Sequence, residues 1–220
     1  SIADIAAGSF NLLRVERDAM LTLRGGEANA LTAAEGHIHM SGGHITGSVH
    51  LTAESSFTLE GCLLSGPLTI LRTVSDVHLR GGMVDGPVTV GQGGGLHIQG
   101  GNITGALTAQ RQSDLTIYGT HFSLPAPTGD GPEIDLMSLL EPGIPYLLDI
   151  RNTTLSATLA DGSPFELDLL TTSTPGRDFV HADARLYLVL VAVPEPTTAV
   201  FVLVSLVVVA VLHYTRRAAC

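Results

Sequence analysis

Short apolar–polar–apolar triplets separated by glycine pairs recur along the first half of the chain. They begin at Leu21 (LTLRGGEANALT), Ile38 (IHMSGGHITGSVHL), Phe57 (FTLEGCLLSGPLTI), Val77 (VHLRGGMVDGPVTV) and Leu96 (LHIQGGNITGALTA). A degraded copy, LTIYGTHFSLP, starts at Leu115, and an incomplete one, GSFNLLR, precedes them at Gly8. Successive starts lie 17 to 20 residues apart. Period-two alternation in each triplet predicts a short strand with one inward face. The intervening Gly-Gly permits the positive φ that a tight corner needs. A unit this short cannot bury its own apolar face, but stacked copies can, each strand pairing with its equivalent in the next.

The pattern therefore predicts an all-β fold, a short right-handed parallel β-helix or solenoid, over residues 1–124. Leu79, Ile98 and Ile117 form one expected interior ladder, and Leu68, Val88 and Leu107 another. Helical repeats are excluded by the glycine density and the absence of a 3.6-residue period. An antiparallel sandwich with frequent turns is the competing architecture, and the regular spacing favours the solenoid.

After Ser123 the pattern stops at a run of prolines and glycines. Strand-like pieces follow at 146–152, 154–159, 165–170 and 185–191, with a hairpin turn at Ala160-Asp161-Gly162-Ser163. A solenoid's last coil exposes an unpaired sheet edge that needs a cover. Residues 125–193 are read as that β-rich cap.

The pattern changes again at the C-terminus. Pro194-Glu195-Pro196 is followed by 18 residues, Thr197 to Tyr214, without Asp, Glu, Lys or Arg, and then by Arg216-Arg217. At ~1.5 Å per residue a helix of that length reaches about 27 Å, close to the ~30 Å hydrocarbon core. A single transmembrane helix over 197–214 is expected, with the arginines marking its cytoplasmic end. The whole segment 194–217 resembles the PEP-CTERM sorting signal of bacteria. That resemblance implies an exosortase as partner, a membrane protease-transferase that cuts near the Pro-Glu-Pro element and releases or re-anchors the exported protein. It assigns Pro194, Glu195 and Pro196 to recognition and cleavage, and Arg216 and Arg217 to orientation and retention. It further implies a membrane-anchored precursor, then residence at the cell surface or outside, beside extracellular polysaccharide. TLSATLADGSPFELDL is similar to the terminal segment of many such β-solenoid proteins. The chain opens at Ser1 with no signal-peptide pattern, so for an exported protein this N-terminus is expected to be truncated, mature or drawn from a misassigned gene start.

Composition narrows the function. Lysine is absent, and the part before Val193 carries nine Arg against 20 acids. Such a surface repels phosphate backbones, which argues against a nucleic-acid partner. Trp is absent and aromatics make up 5%, which argues mildly against a processive carbohydrate enzyme. Cys62 and Cys220 lie on opposite sides of the expected cleavage point. Packing alone must then hold the fold, with Cys62 a small buried residue.

Candidate chemistry is sparse. The middle position of the first triplet runs Thr22, His39, Thr58, His78, His97, Thr116, and that of the second runs Thr32, His50, Thr69, Thr89, Thr108. These point outward, with His78 and His97 on adjacent rungs about 4.8 Å apart. The pair is a weak metal candidate, incomplete without a carboxylate or thiol, and an exposed polar ladder is the preferred interpretation. Asp18, Asp76 and Asp114 recur at one turn, Asp85 stands alone, and no acid pair converges for lyase or hydrolase chemistry. The expectation is a structural or matrix-associated protein without catalytic activity or cofactor. A surface adhesin module binding glycan or a divalent cation is the alternative.

Overall fold

The computed structural model describes residues 1–71, 76–125 and 133–192. The expected sorting signal and its helix lie outside these residues. Among the described residues no helix is long and apolar enough to cross a membrane. The described residues are all-β, a β-solenoid of about six turns with one 3-10 turn at Met137–Leu139.

Each coil contributes to three parallel ladders. The first contains Ile2–Ile5, Met20–Leu23, His37–Met40, Ser56–Leu59, Asp76–Val84, Gly95–Ile103 and Asp114–Leu124. The last contains Leu13–Glu16, Leu31–Ala34, Val49–Thr52, Leu68–Leu71, Val88–Val90 and Leu107–Ala109. Between them runs a ladder of two-residue strands, Ser9–Phe10, Glu27–Ala28, His44–Ile45 and Leu63–Leu64, which joins the far half of Asp76–Val84. Two strands per unit are legible as triplets. The middle one is too short to show alternation, and its only mark is the single apolar residue after the corner. Ala28, Ile45, Leu64 and Val84 at that position are all buried.

Register follows the repeat. Leu79, Ile98 and Ile117 are consecutive partners, as are Leu68, Val88 and Leu107, and all six are buried. Burial of each such side chain is worth about 1.5–3 kcal/mol. Neighbouring coils share in that burial, so the stack is stabilised collectively rather than by any one unit.

The corners explain the glycine pairs. In most coils the second glycine takes the left-handed conformation, with φ of +89° at Gly26, +93° at Gly43, +85° at Gly82 and +90° at Gly101. Where Cys62 occupies that place, the left-handed residue moves one earlier, to Gly61 at +87°. Cys62 then turns inward, its Sγ 3.8 Å from the Met40 carbonyl oxygen. Burial pushes its thiol up to about 12, so it packs as an inert small side chain.

The parallel stack does not stop at 124. Arg185–Leu190 pairs in parallel with Asp114–Leu124, from Asp114↔Arg185 to Gly119↔Leu190. Phe179–Val180 adds a seventh strand to the last ladder, against Leu107–Ala109. Residues 179–190 thus supply one further, partial coil. Other strands of the C-terminal segment lie along edges of the stack. Thr154–Leu159 and Pro164–Asp168 form the expected hairpin, which pairs antiparallel with the far half of Asp114–Leu124. Pro145–Leu147 covers the outer edge of Arg185–Leu190. The Asp178 carboxylate accepts backbone N–H bonds from Leu107 (2.7 Å) and Asp168 (3.1 Å), in place of a strand partner.

The hairpin turn folds back on the stack. Asp161 accepts the Gly101 N–H at 2.8 Å and the N–H and hydroxyl of Ser163. Partial burial tends to raise its carboxyl, but these hydrogen bonds outweigh it and hold the group below the ordinary 3.8. A carboxyl lowered on folding adds stability above its unfolded value and loses it as pH falls through the folded one. Asp161→Asn should therefore flatten the fall in melting temperature between about pH 6 and about pH 3. An unchanged acid slope in thermal unfolding would show that the turn does not hold the hairpin.

Candidate metal-binding face

The outward positions of the first ladder stack in the expected order: Thr22, His39, Thr58, His78, His97 and Thr116 are successive in-register partners. Asp4 precedes Thr22 and Tyr187 follows Thr116. The His78 and His97 rings are stacked, with centroids 4.6 Å apart and planes inclined by 15°.

Sequence reasoning left this pair without a carboxylate. The structure supplies Asp76, whose Oδ1 lies 3.0 Å from His97 Nε2. Asp76 and His78 are two apart on one strand and so share a face. That Asp-x-His spacing is the signal that could have found it. The partner of Asp76 on the next rung is Gly95, which has no side chain, so His97 can lean back across the step.

A carboxylate can only accept, so Nε2 of His97 carries the proton donated to Asp76. In the neutral ring Nδ1 is then an acceptor, and the Tyr118 hydroxyl reaches it at 3.4 Å. Burial first, and then the charge of Asp76, push the Tyr118 hydroxyl up, so it keeps the proton it donates. Nδ1 of His78 is buried with no hydrogen-bond partner among the described residues. Its imidazole is held below the usual histidine value by burial first and by His97 next, against the opposing pull of Asp76. His78 is therefore neutral at neutral pH, the form that ligates metals.

One ligating atom from each of Asp76, His78 and His97 lies within 4.8 Å of the others. A cavity of about 330 Å³ adjoins them, bounded by Asp76, His97, Asp114, Thr116 and Tyr187 among others. Asp114 is already engaged, because Arg185 donates to it through Nε and an NH2 group. Arg80, whose charge also bears on His78, donates to Glu60 at 3.2 Å.

Elsewhere the polar groups hold the fold together. The outward column of the last ladder is in register, with His50 its single histidine. Asp168 and Asp178 share a cavity of about 320 Å³ with Arg177. Thr154 and Arg177 hold the Asp168 carboxyl low, and burial raises that of Asp178. Divergent carboxyls of this kind suit acid–base work, yet all four oxygens are committed. Asp168 accepts from the Thr154 hydroxyl and Arg177, and Asp178 from two backbone N–H groups.

Pro194, Glu195, Pro196, Arg216 and Arg217 lie outside the described residues. No family model, curated protein or solved structure matches the chain.

Proposed function

We propose that the chain is an exported structural protein of the bacterial surface or its polysaccharide matrix, a right-handed β-solenoid processed at its C-terminus by an exosortase, with no catalytic role. The observation that carries this reading is the position of the described ladders. The last described rung ends at Leu190, and Pro194-Glu195-Pro196 begins four residues later. Cleavage at that element would remove the apolar helix and its arginines and leave every ladder whole. The acidic exported part suits a hydrated polymer matrix and repels nucleic acid. In this reading the precursor is anchored by the helix at 197–214, and the product resides on the surface or in the medium.

Intact mass tests it. Protein recovered from its native host should appear in the surface or medium fraction as a species ending between Pro194 and Pro196. A full-length species held in the membrane, with Cys220 present, would reduce the tail to a plain anchor and remove the exosortase from the account.

The alternative is a surface module that binds a glycan or a divalent cation. For the cation it gains support from the grouping of Asp76, His78 and His97.

A further inference from the structure

We propose that Asp76, His78 and His97 bind one divalent transition-metal ion of the zinc type on the outer face of the first ladder. This goes beyond the structural reading and does not depend on how the tail is processed.

The donor set is two imidazoles and one carboxylate, the mixture that zinc accepts with a fourth position left to water. Hard cations such as calcium prefer six or more oxygens. Two donors each about 2.0–2.1 Å from a tetrahedral ion stand roughly 3.3 Å apart. Asp76 Oδ1 and His97 Nε2 are already at 3.0 Å, and the third donor lies within 4.8 Å of both. An ion would require that spacing to shorten, and the exposed Asp76 side chain is the donor with room to move. The stacked geometry places the two rings on successive rungs, so one ion would join two coils.

The surroundings also suit a ligated histidine. Metal-bound imidazoles usually give their other nitrogen to an oxygen that fixes the ring, and the Tyr118 hydroxyl is 3.4 Å from His97 Nδ1. When an ion takes Nε2, the ring proton moves to Nδ1 and the tyrosine oxygen accepts it. The same hydroxyl serves both tautomers. At His78, no hydrogen bond among the described residues competes for Nδ1. The His97–Asp76 contact alone would be explained by an ordinary ion pair. The imidazole stacked against it, with its buried Nδ1 unpartnered among the described residues, is not.

The test uses the full chain in detergent micelles, stripped with a chelator and titrated with Zn²⁺ by calorimetry, with Ca²⁺ as the hard-cation control. One Zn²⁺ per chain is expected, with no Ca²⁺ binding at the same site. His97→Thr and Asp76→Asn should each weaken Zn²⁺ binding by about 10-fold or more, and Tyr118→Phe by about 10-fold. His50→Thr should leave it unchanged. Threonine is the control residue because the rungs at Thr58 and Thr116 already carry it in this column. Thermal unfolding of each metal-free variant checks the fold. Should His97→Thr not fold, Asp76→Asn decides, since Asp76 is exposed and lies at the start of its strand. Binding weaker than about 1 mM, or Zn²⁺ affinity equal in wild type and Asp76→Asn, overturns the proposal. Affinity lost equally in His50→Thr would assign it to scattered surface histidines and overturn it as well.

Discussion

Gly86→Ala is expected to destabilise the stack by about 3 kcal/mol or more, while Gly81→Ala, five residues earlier in the same coil, leaves stability unchanged or slightly raises it. The chemical change is identical, and the difference lies in what the new methyl group meets. At Gly86 it would stand 2.3 Å from the Gly66 carbonyl oxygen and 2.4 Å from its carbon. Gly66 and Gly105 stand in the same relation to the coils before them, with closest approaches of 2.1 Å and 2.2 Å. This column of glycines lets the backbones of successive coils touch at one corner. Backbone cannot swing aside as a side-chain end can, so a methyl there wedges two coils apart. At Gly81 the nearest atom is at 3.7 Å and φ is not positive, so alanine fits and removes unfolded-state freedom worth about 0.4–1 kcal/mol. For a domain of this size the Gly86 variant should melt about 6 °C or more below wild type. Equal melting temperatures for the two variants would mean that the coils are not in contact at this corner.

A chain ending at Leu124, where the repeat pattern fades, should fail to give a soluble, cooperatively melting protein, whereas one ending at Ala192 should give both. The shorter chain loses the buried Leu155, Leu159, Phe165, Leu167, Leu186 and Leu188. At about 1.5–3 kcal/mol each, their loss rivals the ~5–15 kcal/mol that holds a typical domain together. It also exposes the whole edge of Asp114–Leu124 that Arg185–Leu190 covers. Such an edge is a template for intermolecular pairing. Size-exclusion chromatography and thermal circular dichroism of the two chains decide the matter. A monomeric, cooperatively melting product ending at Leu124 would show that the C-terminal segment is an accessory to the solenoid.

What the sequence made legible was whatever repeats. Alternation around Leu79, Ile98 and Ile117 located two of the three ladders and their register, because each coil restates the same inward positions. The middle ladder escaped because two residues cannot alternate. The closing strand reads as a strand from Arg185 but not as a coil, because the segment FVHADARLYLVL has no Gly-Gly corner to mark it as one. Its anchor to the stack, Arg185 on Asp114, spans 71 residues, and no local pattern reports such a pairing. At the candidate metal face, the histidine column was visible and Asp76 was not. By position in the repeat, Asp76 groups with Asp18 and Asp114. In the fold these acids differ. Asp18 sits in a turn at φ +57°, Asp114 is bound to Arg185, and Asp76 faces His97.

The closing strand also sets the order in which the molecule can be built. The earlier coils form from contacts about 20 residues apart, a short loop to close, so they can fold as the chain emerges. The rung at Arg185–Leu190 must reach back past the hairpin to Asp114–Leu124 before it can pair. Until then the growing end of the stack is an open, adhesive edge. A chain delivered from its N-terminus therefore remains unfinished until nearly its last described residue arrives. The step that seals it should be the slowest in its folding.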